Sequence, residues 1–145
     1  MTQQQETSPT LGIILVTHAD YGSALLRAAE FILGTQSDCT AISVDVSQDV
    51  SDTVHRLNEA VIRLDTGAGV LILTDMFGGT PTNLSLALLG NANVDVITGV
   101  NLPMLLKVFG CRNQDLATAA REAVEAGLKG IVAAGEMLRN RSKNG

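Results

Sequence analysis

Residues 11–34 read LGIILVTHADYGSALLRAAEFILG, and the two halves of this stretch follow different periods. Residues 11–16 are an unbroken apolar run rich in Ile and Val, the pattern of a strand covered on both faces. Over residues 21–33 the apolar side chains Leu25, Ala29, Ile32 and Leu33 recur at helical spacing, and Gly34 supplies a stop. A buried strand running into a helix is half of a crossover unit, because parallel strands need a long connection and a helix commonly provides it. The alternation continues outward. Residues 40–46 alternate, with Ile42, Val44 and Val46 on one face, as a strand nearer the sheet edge does. Val54, Leu57, Val61 and Leu64 make a helical stripe that begins near Asp49 or Ser51. Residues 70–73 are another fully apolar strand, 81–89 a short helix, 94–98 a strand and 115–126 an Ala-rich helix. The expected fold class is therefore α/β, a doubly wound, mainly parallel sheet with helices on both faces. Residues 129–138 read two ways: Ile131 and Val132 suit a last strand, Ala133, Met137 and Leu138 a helix.

The composition fits one such domain. With 145 residues, 46% hydrophobic and 17% charged, the chain can bury a core without disulfides or metal, and it is too apolar for a disordered chain. A formal net charge of −5, with ten Lys and Arg spread thinly, argues against a nucleic-acid surface. No apolar run approaches the roughly 18 residues of a membrane span. Residues 1–10 read as a flexible polar lead without signal-peptide character, 11–138 as a single domain, and 139–145 as a short basic tail. Cys39 and Cys111 stand far apart, with no CxxC pair, and read as buried free thiols of a reducing, cytoplasmic compartment.

In an open α/β sheet the ligand site lies beyond the carboxyl ends of the strands, where strand order reverses. His18 follows the first strand at the start of a helix, where unpaired N–H groups suit an anion. Asp75 follows the third strand in the same way. Strands one and three are neighbours in the common small doubly wound orders, roughly 4.8 Å apart, so the carboxylate can reach the imidazole. By accepting from Nδ1–H it would leave Nε2 free as nucleophile or base. Gly78-Gly79-Thr80-Pro81 completes the constellation: two glycines let backbone amides approach a ligand closely, with Thr80 placed as N-cap and Pro81 at the first helical position. That loop is a phosphate cradle in physical terms. Each feature also has a plainer reading: a packing histidine, a capping aspartate, an ordinary turn. His55, mid-helix beside Asn58 and Glu59, reads as solvated. There is no Walker lysine and no GxGxxG, which counts against nucleotide binding through those motifs.

With these loops in hand, the sequence resembles the enzyme IIA domain of the mannose/fructose/sorbose family of the bacterial phosphoenolpyruvate-dependent sugar phosphotransferase system. The resemblance spans most of residues 11–130. It rests on the strand ending in Thr17-His18, on Thr74-Asp75-Met76-Phe77-Gly78-Gly79-Thr80-Pro81-Thr82-Asn83, and on Gly99-Val100-Asn101-Leu102-Pro103-Met104. The aspartate–any–aromatic–Gly–Gly–Ser/Thr–Pro run is the most specific of these. The resemblance implies that His18 takes a phosphoryl group at Nε2 from the histidine phosphocarrier protein and passes it to a separate IIB component. It implies that Asp75 bonds the other ring nitrogen, and that Thr80 occupies the Ser/Thr place near the phosphate. It implies no metal and no cofactor, and a link to the membrane only through the IIC/IID permease. It further implies a homodimer that exchanges a carboxyl-terminal antiparallel strand, which residues 129–136 would supply.

Three other readings remain open at this level. The phosphotransfer subunit of a phosphotransferase-dependent dihydroxyacetone kinase shares the fold and an equivalent histidine. A flavodoxin-like ligand-binding module fits the alternation, but 3% aromatic residues and no Trp offer little to hold a flavin. A hydrolase using Ser23, His18 and Asp75 lacks the Gly-x-Ser-x-Gly elbow.

Overall fold

The computed structural model describes residues 8–45, 47–90 and 93–144. Val46, the third member of the alternating face, lies outside them, as do residues 1–7 and 145 of the two expected termini. Four strands form one parallel sheet: β1 (Gly12–His18), β2 (Cys39–Val44), β3 (Val70–Thr74) and β4 (Val94–Thr98), in the order β2-β1-β3-β4. The helices are α1 (Tyr21–Leu33), α2 (Val50–Leu64), α3 (Thr80–Leu86), α4 (Leu102–Gly110), α5 (Leu116–Lys129) and α6 (Ala134–Lys143). The α/β class, the parallel sheet and the β1–β3 adjacency are those the sequence implies.

Period-two alternation sorts the strand residues between two apolar layers. Ile13, Leu15, Leu71 and Leu73 point to one face, where they meet Ala29 of α1, Leu105 and Val108 of α4, and Ala123 of α5. Ile14, Val16, Val70 and Ile72 point to the other, against Leu57, Ala60, Val61 and Leu64 of α2. Burial on both faces is why the central strands read as continuous apolar runs rather than alternating ones.

Several boundaries differ from expectation. The carboxyl end of β4 leads not into a long loop but into α4, capped by Asn101, whose side-chain oxygen accepts from Met104 N at 3.0 Å. The signal was present: an Asn cap, Pro103 in the first turn, and Met104, Leu105, Val108 and Phe109 at helical spacing. Ile32 and Leu33, read as part of the stripe of α1, are 56% and 47% exposed, because neither reaches the apolar layers packed on the sheet. Val54 is also partly exposed, its place on the α2 stripe taken by Thr53. Residues 129–138 form no strand here; α5 runs through Lys129, residues 131–133 are irregular, and α6 follows. That helix crosses the boundary drawn at residue 139 and has no buried residue. Both cysteines are free, Cys111 buried and Cys39 half-buried. Burial, reinforced by the Glu122 carboxylate 2.7 Å away, pushes the Cys111 thiol up to about 11. No helix among the described residues is long and apolar enough to cross a membrane.

At the end of the sheet away from His18, one guanidinium ties three segments together. Arg112 donates to Leu11 O from Nε (3.1 Å) and Nη2 (2.9 Å), to Asp38 O (2.9 Å) and to Ser37 O (2.6 Å). A rigid planar fork holds its donors spread apart and pre-aimed at several carbonyls, whereas a lysine offers its donors from a single point on a flexible stem. Arg112→Ala is expected to cost about 1–3 kcal/mol in urea unfolding, and Arg112→Lys to recover only part of it; an unchanged midpoint for the alanine variant would remove the clamp from the account.

Candidate functional site

The order β2-β1-β3-β4 reverses direction between β1 and β3, and the carboxyl ends of those two strands carry His18 and Asp75. Val16 is in register with Thr74, so each functional residue lies one or two positions beyond the last shared pair. Asp75 reaches across to His18 with one oxygen. Its Oδ2 accepts from the His18 main-chain N–H at 2.9 Å and lies 2.7 Å from Nδ1. Oδ1 is buried and has no hydrogen-bond partner. Burial alone would raise the Asp75 pKa, but the two hydrogen bonds from His18 and the nearness of its ring outweigh it and hold the carboxyl below its usual value. An ionised carboxylate only accepts, so Nδ1 carries the proton toward Asp75. In the neutral ring, the Nε2 lone pair is then left without a hydrogen-bond partner among the described residues, on a side chain that is 44% exposed.

Gly79 closes over that free edge. A Cβ there would sit 3.3 Å from His18 Cε1 and 3.5 Å from Nε2, and its φ of +81° is one that side-chain-bearing residues rarely adopt. Glycine is needed twice, for the turn and for the close approach. Gly78 shares the left-handed conformation, with φ +82°, but faces open space. Thr80 departs from the sequence reading. The N-cap of α3 is Gly79, so Thr80 is the first helical residue and Pro81 the second, and the Thr80 side chain makes no capping bond. With two consecutive positive-φ glycines ahead of it, the helix begins one residue earlier than a Thr80 cap would have it. Among the described residues Thr80 makes no hydrogen bond to His18 or Asp75; its side chain lines a neighbouring cleft of about 220 Å³ with Val44, Val50 and Leu84.

Other residues shape the site without having been singled out. Ala19, directly after His18, has φ +47°. It is held there by strand β2: the Ser43 hydroxyl donates to Ala19 O, and Ala19 N donates to Val44 O at 3.4 Å. Thr17 Oγ1 accepts from Gly22 N at 2.8 Å, fixing the start of α1, and Tyr21 OH donates to Val100 O at 2.9 Å, tying it to the loop before α4. No sequence pattern marks an alanine that must turn left-handed. Met76 and Phe77, between Asp75 and the glycines, are 53% and 79% exposed and form an apolar rim. Ser23 makes no hydrogen bond to His18, so the Ser23–His18–Asp75 triad is not assembled. His55 lies on the exposed face of α2 with Nε2 3.1 Å from Glu59, remote from this chemistry. Among the described residues no three His, Cys, Asp or Glu side chains come together as a metal site.

The chain has relatives among known proteins. The family model described as "PTS system fructose IIA component" matches residues 12–125. The chain is 33% identical over 127 residues to the PTS system mannose-specific EIIAB component of Escherichia coli K12, covering 86% of this chain and 39% of that protein. It is 37% identical over 97 residues to the PTS system sorbose-specific EIIA component of Lacticaseibacillus casei, covering 66% of this chain and 70% of that one. Among solved structures, the phosphotransferase system component EIIA from Streptococcus agalactiae superposes with a TM-score of 0.79 at 27% identity, covering 87% of this chain and 98% of that one.

The Asp75 geometry has a pH signature. Its native pKa is depressed below the unfolded value of about 3.9, so its stabilisation is fully present above that pH and is lost as pH falls through the native pKa. Asp75→Asn is expected to lower stability by on the order of 1 kcal/mol at pH 7, with the gap to wild type closing below pH 4. Urea titrations of both proteins across that range check it; a gap that widens on acidification would contradict the assignment.

Proposed function

The chain belongs to the family of PTS fructose IIA components, and on that premise we propose that His18 is a phosphoryl carrier. In this reading Nε2 attacks the phosphorus of a phosphohistidine on the histidine phosphocarrier protein. The new Nε2–P bond forms as the donor's N–P bond breaks and its imidazole leaves. The reverse geometry then delivers the same phosphoryl group to a IIB component. The observation that carries the proposal is the 2.7 Å contact between Asp75 Oδ2 and His18 Nδ1, which reserves Nε2 as the outward nucleophile.

Each part of the site has work in this step. A nitrogen nucleophile with a free lone pair needs no base, so no proton has to move. Phosphorylation makes the ring more cationic, and the carboxylate stabilises that charge through Nδ1–H. Gly79 leaves room beside Cε1 and Nε2 for the phosphoryl oxygens, and in this reading backbone amides of the same turn would hold them. Gly78 and Thr80 are assigned to the same phosphate-binding turn, with Thr80 acting from the first helical position. The exposed Met76 and Phe77 give protein partners an apolar rim against which to exclude water during transfer.

The same reading assigns the chain to sugar uptake in the cytoplasm, docking beside a IIC/IID permease through IIB. It also assigns a homodimer. Residues 131–133 leave α5 with Ile131 and Val132 exposed at 74% and 52%, available for a second subunit to cover.

Incubation with phosphoenolpyruvate, the general first enzyme and the phosphocarrier, followed by mass spectrometry under alkaline conditions, tests the proposal. Wild type is expected to gain one phosphoryl group and His18→Gln none. Asp75→Asn is expected to react about 10–100-fold more slowly, and Gly79→Ala to lose rate through crowding of the ring. A phosphorylated His18→Gln protein would refute the assignment. Transfer onward to ADP on a kinase subunit, rather than to IIB, would favour the dihydroxyacetone kinase reading.

A further inference from the structure

Two buried threonine hydroxyls adjoin the turn that carries the site. Thr74 ends β3 and Thr82 lies in the first turn of α3, and neither is exposed to solvent. Thr82 Oγ1 is 2.5 Å from the carbonyl oxygen of Met76 and 2.8 Å from Thr74 Oγ1. Hydrogen-bonding capacity fixes the direction of this chain. A hydroxyl carries one proton and a carbonyl can only accept. Thr82 therefore donates to Met76 O, and Thr74 donates to Thr82.

Among the described residues, the Thr82 bond is the only hydrogen bond made by Met76, Phe77 or Gly78. Packing does little to replace it, since the Met76 and Phe77 side chains are largely in solvent. Yet this short turn joins the two halves of the site, Asp75 on one side of His18 and Gly79 on the other. Two positive-φ glycines at its far end allow it many other paths. A turn so free, with a reacting edge to complete, needs an internal anchor.

We propose that Thr82 is a positioning residue for phosphoryl transfer. Its hydroxyl, backed by Thr74, holds the 75–79 turn so that Gly79 stays against the Nε2 edge of His18. The inference rests on His18 as phosphoryl acceptor, and it adds the device that keeps the acceptor's surroundings in register. A purely structural role for Thr82 would be served by its volume and its methyl group; this role requires the oxygen.

The experiment is single-turnover phosphorylation by saturating phosphocarrier at a temperature well below unfolding, with the melting temperature of each variant measured alongside. Thr82→Val keeps the volume and loses the hydroxyl; it is expected to slow transfer about 10-fold, in keeping with the steep cost of misplacing a reacting group. Thr82→Ser keeps the hydroxyl and is expected to stay within about two-fold of wild type, while Thr74→Val, which removes only the backing bond, is expected to slow transfer about three-fold. Thr82→Val reacting at the wild-type rate, or Thr82→Ser as slow as Thr82→Val, would overturn the inference. Should Thr82→Val not fold, Thr74→Val decides it, an unchanged rate counting against the relay. Wild-type protein that takes no phosphate on His18 would instead overturn the parent reading.

Discussion

One carboxylate oxygen, Asp75 Oδ2, holds both the backbone and the ring of His18, and the chemistry of the site depends on that double grip. Neither bond would exist without the sheet order. Asp75 and His18 are 57 positions apart in sequence, and only the parallel pairing of β1 with β3 brings their strands side by side. The bond to the backbone fixes where the residue is; the bond to Nδ1 fixes how the ring turns and which nitrogen is free. Removing a carboxylate from water is costly, and here the cost is offset by two donors from the same residue. The result is an imidazole whose orientation is settled before any partner arrives.

The surroundings are built to keep that grip accessible. β2 pins Ala19 in a conformation alanine seldom takes, which turns the chain sharply away after His18 and leaves the ring at the surface. On the other side, glycine spares the ring from contact with a side chain. Structural rigidity lies below the site, in the double-sided apolar core, and at the far end of the sheet in the Arg112 clamp. The proposed carrier role would require reversible binding of a phosphoryl group and contact with two protein partners in turn. A shallow, exposed nucleophile on a rigid base fits that requirement better than an enclosed pocket.

Much of this was legible in the sequence because it follows from periodicity and topology. Continuous apolar runs at residues 11–16 and 70–73 mark central parallel strands, and the carboxyl-end rule selects the loops of His18 and Asp75. What was not legible depends on backbone detail. The spacing of Met104, Leu105, Val108 and Phe109 does encode α4, but the Gly-Val-Asn-Leu-Pro run ahead of it reads first as a loop. Thr80 looks like a cap because Ser and Thr usually are; only the φ values of Gly78 and Gly79 shift the cap back by one residue. Ile32 and Leu33 keep helical phase with the buried stripe, yet periodicity cannot say where the neighbouring layer ends. The hydroxyls of Thr74 and Thr82 carry no motif of their own, and their direction emerges only from which oxygens can donate.

The central claim is that Asp75 reserves Nε2 of His18 for phosphorus. Phosphorylating the 15N-histidine-labelled protein and reading the nitrogen–phosphorus coupling by NMR at alkaline pH tests it most directly. The phosphoryl group is expected on Nε2 of His18, with Nδ1 still protonated toward Asp75. Coupling to Nδ1, or a phosphoryl group on His55, would contradict it.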